Sequence, residues 1–102
     1  MLPTNPRTFA NKSSHKMKIS IEISYYPLDT PYIPPIKDFI SRLNQYSQIH
    51  VQTNGMSTQV FGEFDETLDI LKNEIKKSFE LPHSVFVMKI INADLNHKDG
   101  SN

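Results

Sequence analysis

The chain has 102 residues, with 11 lysines and arginines against 11 aspartates and glutamates, so its formal net charge at pH 7 is zero. This length suits one domain and is too short for two, and the charge balance offers no long-range attraction to nucleic acid or to an anionic membrane. The sequence contains no cysteine, which excludes disulfides, thiolate metal sites and cysteine nucleophiles.

The two ends of the chain differ in composition from its middle. Residues 1–16 are rich in proline, asparagine and serine and show almost no apolar periodicity, so they are predicted to form a disordered extension. We expect one domain over residues 17–94 and a flexible tail over residues 95–102. No apolar stretch approaches the roughly 20 residues that span a bilayer, and residues 1–16 lack the apolar core of a signal peptide. A soluble, cytoplasmic protein without membrane insertion is therefore expected.

The first regular pattern begins at Lys18 and alternates strictly between apolar and polar residues. The two predicted faces of this strand are Ile19, Ile21, Ile23 and Tyr25 on one side and Lys18, Ser20, Glu22 and Ser24 on the other. Such alternation predicts a half-buried strand. Further on, a proline pair followed by apolar residues at helical spacing predicts a first helix from about Pro34 to about Gln45.

Two strands and a second helix are predicted in the remainder of the chain before a last strand. Asn54-Gly55 is a strong hairpin signal, and it separates strands predicted over 49–53 and 56–64. Asp65 is the predicted N-cap of the second helix, since acidic residues follow it and lysines come late, as the helix dipole favours. The predicted apolar face of this helix is Leu68, Leu71, Ile75 and Phe79. Pro82 ends the helix, and the nearly continuous apolar run 85–91 predicts the last strand.

The order strand, helix, strand, strand, helix, strand predicts an α+β fold of ferredoxin-like βαββαβ type. In this fold, both helices pack on one face of a four-stranded antiparallel sheet, and the other face stays open. A domain of this size buries little apolar surface, and an open face carrying Val85 or Phe86 invites self-association. We therefore expect a homo-oligomer, either a dimer or a tetramer, that assembles through the open sheet faces.

The open face is also where polar side chains are expected to gather. If Ile19, Ile21 and Ile23 face the helices, Ser20, Glu22 and Ser24 lie on the opposite face of the strand. The parity of the hairpin adds three more residues to that face, namely Ser57, Gln59 and Phe61. This pattern predicts a hydrogen-bonding platform, although a sheet surface exposed to solvent or to another subunit is polar for the same reason.

Several kinds of chemistry have no support in the sequence. The four histidines are scattered without helical pairing, at His15, His50, His83 and His97, so no metal site is expected. There is no G-x-S-x-G elbow and no glycine-rich phosphate loop. The third predicted strand has one aromatic residue and no lysine or arginine, which disfavours RNA binding. The turn after the first strand lacks the arginine that an acylphosphatase-like enzyme needs.

Three segments resemble the YkoF-like thiamine-binding family, in a single-repeat form. They are ISIEISYYPL, IPPIKDFISRL and TNGMSTQVFGEFDETLD, beginning at Ile19, Ile33 and Thr53, and the third is the most specific. The resemblance covers about residues 17–93. It implies a ferredoxin-like fold, assembly through open sheet faces, and binding of thiamine or hydroxymethylpyrimidine by a carrier linked to uptake or salvage. Because the chain holds one repeat, the resemblance also implies that another subunit completes any shared site.

Candidate ligand-binding residues follow from these segments and from the chemistry of thiamine. They are Glu22, Ser24, Tyr25, Asn54, Met56, Ser57, Thr58 and Gln59. The carboxylate, hydroxyl and amide groups suit the amine and ring nitrogens of the pyrimidine. A ring from Tyr25, Tyr26 or Phe61 suits the cationic thiazolium. No catalytic residue, metal or cofactor is predicted, thiamine itself being the bound ligand.

Two alternative functions stay open at this stage. One is a structural or regulatory homo-oligomer without a small ligand, which predicts a more continuously apolar open face than Ser20, Glu22 and Ser57 suggest. The other is an enzyme acting on a thiamine precursor, which requires a nucleophile and base pair. His50 is predicted to share the open face but to lie on an outer strand, away from the centre of the platform. We therefore expect a protein that binds its ligand without transforming it.

Overall fold

The structure, a computed structural model, describes residues 17–28, 31 and 33–96. Its elements are, in order, β1 (Lys18–Pro27), α1 (Ile33–Leu43), β2 (His50–Thr53), β3 (Thr58–Glu63), α2 (Phe64–Ser78) and β4 (Ser84–Ile91). The antiparallel sheet has the strand order β2-β3-β1-β4. This is the predicted ferredoxin-like βαββαβ arrangement. The predicted N-terminal extension and most of the predicted tail lie outside the described residues.

β1 lies at the centre of the sheet, and its alternation separates the two faces as predicted. Ile19, Ile21 and Ile23 are at most 2% exposed. They form one apolar core with side chains from both helices and the neighbouring strands, including Phe39, Leu43, Val60, Ile70 and Leu71. The period-two pattern of β1 therefore gives the domain its core on the helix side of the sheet.

The register of the strands confirms which side chains share the open face. Glu22 is paired with Gln59, and Ser20 is paired with Phe61. Directly paired residues in an antiparallel ladder point to the same face. Thr58 is paired with Ile23 and therefore faces the helices, where it is buried.

The β2–β3 connection is a four-residue loop rather than the two-residue turn that Asn54-Gly55 predicts. The last paired residues of the hairpin are Thr53 and Thr58. Asn54 Oδ1 accepts hydrogen bonds from the backbone N–H of Met56 at 2.8 Å and of Ser57 at 3.1 Å. Because the asparagine side chain closes this turn, Met56 and Ser57 stay in the loop, and the predicted start of the third strand is two residues early.

The ends of the helices differ modestly from the predictions. Asp65 is not the N-cap of α2, because Glu63 has extended backbone angles and its Oε1 accepts from the backbone N–H of Glu66 at 3.0 Å. β3 thus runs into α2 without a connecting loop, and Asp65 lies in the first turn. At the other end, Phe79 is the C-cap and 55% exposed, so it does not belong to the buried face. α1 ends at Leu43, two residues before the predicted end.

β4 is an edge strand with one open face, although its apolar run resembles a strand buried on both sides. Val85, Val87 and Ile91 point to the open face and are 41%, 54% and 45% exposed. Phe86 points the other way, and its ring stacks on that of Tyr25 with centroids 4.3 Å apart. The apolar surface of β4 is therefore shared between the core and an unpartnered patch.

The chain turns back over the open face after β4. We call residues 92–96 the return segment. The Ser20 hydroxyl donates to the carbonyl of Ala93 at 2.6 Å and accepts from the backbone N–H of Leu95 at 2.8 Å. Ser20 and its cross-strand neighbour Phe61 are only 5% and 7% exposed. The return segment thus occupies part of the β1–β3 side of the open face and leaves the β4 side free.

A buried ion pair joins the two helices. Arg42 of α1 donates to Glu74 Oε1 at 2.5 Å and to the Glu74 carbonyl at 3.0 Å. The other carboxylate oxygen of Glu74 accepts from the Tyr46 hydroxyl at 2.6 Å. Glu74 is 2% exposed. Burial alone would raise the pKa of Glu74, but the hydrogen bonds from Tyr46 and Arg42 outweigh it and lower the pKa below its usual 4.5.

We predict that Glu74→Gln destabilises the fold at neutral pH by about 3 kcal/mol, because it leaves Arg42 without its buried countercharge. A lowered native pKa stabilises the fold above the unfolded pKa of 4.5, and this stability is lost as the pH falls through the native value. The difference between wild type and variant should therefore shrink in acid. Urea unfolding at neutral pH and well below pH 4.5 measures it.

Asp38→Asn is the matched control, since Asp38 pairs with the same arginine at 2.9 Å but has a side chain that is 67% exposed. An exposed pair of this kind contributes about 1 kcal/mol or less. Equal losses in the two variants would contradict the assignment of the buried pair as the main polar link between α1 and α2.

Candidate functional site

A cavity opens at one end of the sheet because β1 extends beyond the residues that pair with β3. The last pair between the two strands is Ile23 with Thr58, whereas β1 continues to Pro27. Over this stretch, the edge of β1 that faces β3 has no strand partner in the described part of the chain. A cavity of about 440 Å³ lies between this edge, the β2–β3 loop and α1. Its volume falls in the range of small-molecule sites, roughly 300 to 1,000 Å³.

Most of the sequence-predicted ligand residues meet in this cavity. The lining includes Ser24, Tyr25, Asn54, Met56, Ser57 and Thr58. Glu22 and Gln59 do not line it and lie beside it on the open face, where they form a cross-strand pair. The cavity therefore joins residues from both sides of the sheet, which come together only where the β2–β3 loop leaves β1.

The cavity has an apolar floor and a polar rim. Ile36, Phe39 and Ile40 of α1 form the floor. Hydroxyl groups dominate the rim, and those of Thr53 and Thr58 lie 3.2 Å apart. The amide oxygen of Asn54 is used within the loop, so the amide nitrogen is its available polar group. Such a lining suits a small ring system that carries hydrogen-bonding substituents.

The aromatic residues named from the sequence have different environments. Tyr25 is 7% exposed, stacks in the core and has its hydroxyl 3.2 Å from Ser84 Oγ. Phe61 is buried and does not line the cavity. Tyr26 lines the cavity and is 53% exposed, so its ring has an accessible surface. Tyr26 is thus the aromatic residue that is free to contact a ligand.

A chain of polar contacts runs from β4 across the open face to the cavity rim. Lys89 Nζ lies 3.2 Å from Glu22 Oε1. The Ser57 hydroxyl donates to Glu22 Oε2 at 2.9 Å and accepts from Gln59 Nε2 at 3.0 Å. The hydrogen bond from Ser57 lowers the pKa of Glu22, and Lys89 lowers it further. Glu22 is therefore ionised at neutral pH and reaches the cavity through Ser57.

Lys89 was not among the residues predicted from the sequence. Because β4 has apolar residues on both faces, its sequence does not show which face Lys89 occupies. Only the register with β1 pairs Lys89 with Glu22. The signal that could have found it is the single charged residue of β4, whose other seven residues are apolar or small.

The described residues contain no group of three or more histidine, aspartate or glutamate side chains placed to hold a metal ion. His50 lies on the outer strand β2, as predicted, with its Nε2 3.2 Å from the Gln52 amide nitrogen. His15 and His97 lie outside the described residues. Within the same part of the chain, every helix is too short or too polar to cross a membrane.

Comparison with solved structures finds several proteins that share this fold. A protein from Streptococcus pneumoniae is 27% identical, with a TM-score of 0.70 over 81% of this chain and 94% of that chain. A candidate thiamine biosynthesis or salvage protein from Thermotoga maritima is 18% identical, with a TM-score of 0.70 over 80% of this chain and 92% of that one.

A third structure is a domain of unknown function, DUF77, from Bacillus cereus, which is 18% identical with a TM-score of 0.62. It covers 83% of this chain and 85% of its own. No protein-family model and no curated protein matches the sequence. At these identities the likeness shows the fold, and a thiamine-related protein is among the proteins that share it.

We predict that Ser57→Ala raises the pKa of the Glu22 carboxyl toward its usual value of 4.5, because it removes the hydrogen bond that lowers the pKa most. Lys89→Met should also raise it. Carboxyl-carbon NMR titration measures both shifts. Gln52→Ala is the control, since Gln52 lies on the same face without a contact to Glu22. An unchanged Glu22 titration in Ser57→Ala would show that the contact is not formed in solution.

Proposed function

We propose that this protein binds thiamine or its hydroxymethylpyrimidine portion without transforming it, as a cytoplasmic carrier or an accessory protein in uptake or salvage. The observation that carries the proposal is the cavity of about 440 Å³, which gathers most of the residues predicted from thiamine chemistry. Two similarities support the identity of the ligand. The sequence resembles the YkoF-like family, and a candidate thiamine biosynthesis or salvage protein shares the fold.

The cavity suits the two rings of thiamine in different ways. Hydroxyl groups of Ser24, Ser57 and Thr58 and the Asn54 amide can pair with the amine and ring nitrogens of the pyrimidine. The exposed ring of Tyr26 can lie against the cationic thiazolium. Met56, at the loop tip and 87% exposed, can fold onto a bound ring because its side chain is flexible. The proposal needs no metal, cofactor or catalytic residue.

Isothermal titration calorimetry of the full chain with thiamine, hydroxymethylpyrimidine and thiamine phosphate tests the proposal. We expect saturable binding of at least one of the three. Tyr26→Ala should weaken thiamine binding about 2- to 30-fold, the range that corresponds to a cation–π contribution of about 0.5 to 2 kcal/mol. It should weaken hydroxymethylpyrimidine binding less, because that molecule lacks the cation.

Phe64→Ala is the matched control for Tyr26→Ala. Phe64 is also a partly exposed aromatic residue, and its backbone N–H bonds to the carbonyl of Met17, at the opposite end of β1 from the cavity. Equal losses of thiamine affinity in the two variants would argue against a ligand beside Tyr26. No heat with any of the three compounds would favour a structural oligomer without a small ligand.

We also propose that the protein assembles as a homo-oligomer through the β4 side of its open face. The exposed apolar side chains there are Val85, Val87 and Ile91 of β4, with the exposed Lys89 between the last two. The return segment already occupies part of the face near Ser20. Burying the exposed patch against a second copy would remove apolar surface from water that the single chain leaves uncovered.

Size-exclusion chromatography with light scattering tests the assembly. We expect the wild-type chain to be a dimer or tetramer, and Val87→Lys to shift it toward the monomer, because a charge would be buried in the interface. Met88→Lys is the control, since Met88 is 39% exposed on the opposite face of the same strand. A monomeric wild-type chain, or equal effects of the two variants, would contradict assembly through this face.

A further inference from the structure

Ser57 is the point where the polar chain of the open face meets the cavity. It is the last residue of the β2–β3 loop and part of the cavity lining. Its hydroxyl contacts Glu22 on β1 and Gln59 on β3, at 2.9 and 3.0 Å. Ser57 therefore connects a charged group that lies outside the cavity with the wall of the cavity itself.

The contacts of Ser57 determine which way its hydroxyl hydrogen points. Glu22 is held as a carboxylate beside Lys89, with Nζ and Oε1 3.2 Å apart. A carboxylate can only accept hydrogen bonds, so the hydrogen of Ser57 is committed to Glu22. Gln59 then donates its amide nitrogen to the Ser57 oxygen. The Ser57 oxygen can then accept one more hydrogen bond, whereas the hydroxyl has no hydrogen left to donate.

The other hydrogen-bonded hydroxyls of the described lining have uncharged neighbours. Thr53 and Thr58 face one another at 3.2 Å, and either can be the donor. The Ser84 hydroxyl donates to the carbonyls of Leu81 and Ser78, at 3.1 and 3.3 Å, so the Tyr25 hydroxyl donates to Ser84 Oγ at 3.2 Å. Among the hydrogen-bonded hydroxyls of the described lining, Ser57 is the one held as an acceptor by a charged neighbour.

We propose that Ser57 is a specificity-determining residue and that Glu22 is its positioning residue, so that the cavity favours ligands presenting an N–H donor at this wall. This inference rests on the proposed function and makes it more specific. The exocyclic amine of hydroxymethylpyrimidine is such a donor. In its oxo counterpart, a carbonyl replaces the amine and the proton lies on a ring nitrogen, so two acceptors would face one another at the position that the amine occupies.

The test compares the affinities of the full chain for hydroxymethylpyrimidine and for this oxo counterpart, by calorimetry. The wild-type chain should prefer the amine by about 10-fold or more, the size expected when an acceptor is left unpaired. Glu22→Gln should reduce the preference at least about 5-fold. Lys89 donates only, so it holds the amide oxygen of the new side chain and turns the amide nitrogen toward Ser57. The hydroxyl hydrogen of Ser57 is then released toward the cavity.

Lys89→Met is the matched control, because it removes a charge from the same chain but leaves a carboxylate to accept from Ser57. It should keep the wild-type preference. Ser57→Ala is a second test, which stays valid if Glu22→Gln fails to fold. It should lower the affinity for the amine and leave the affinity for the oxo compound nearly unchanged.

Two results would overturn this inference and leave the proposed function standing. One is binding of the amine with an unchanged preference in both Glu22→Gln and Ser57→Ala. The other is an equal loss of preference in Lys89→Met and Glu22→Gln, which would assign the selectivity to local charge. Failure of the wild-type chain to bind either pyrimidine or thiamine would instead overturn the proposed function, and this inference with it.

Discussion

The pairing of β1 on both of its edges is the constraint on which the rest of this structure depends. Its isoleucines face the helices and its polar residues face the open side, and the registers with β3 and β4 extend that division across the sheet. A shift by one residue would exchange the two sets, and the core would lose Ile19, Ile21 and Ile23 together. The position of Glu22 beside Gln59 and Lys89 follows from the same registers.

The cavity is a consequence of unequal lengths within this pairing. β3 begins at Thr58 because Asn54 closes a four-residue loop, whereas β1 continues to Pro27 and pairs only with β4 over its last residues. The gap between loop and strand is closed on one side by α1, which supplies the apolar floor. The proposed ligand site thus lies at an irregularity of the sheet, where backbone and side chains are not already used in the ladder.

The buried polar side-chain atoms of the described residues are paired, with one exception. Glu74 has Arg42 and Tyr46, and Ser20 holds the return segment through both a donated and an accepted hydrogen bond. The exception among the described side chains is Thr67 Oγ1, which has no partner and sits where Gly62 approaches α2 closely. A side chain at residue 62 would collide with Thr67, so this glycine sets the distance between β3 and α2.

The sequence by itself determined the element order, the core face of β1 and the membership of the open face, and most of the ligand residues it predicted line the cavity, because alternation and turn residues are local properties of the chain. It could not show the return segment on Ser20 or the partners of Glu22 and Glu74. Those depend on which distant residues the registers and helix packing bring together. Lys89 is 67 positions from Glu22 along the chain, and only the tertiary structure made them neighbours, because β4 returns to pair with β1.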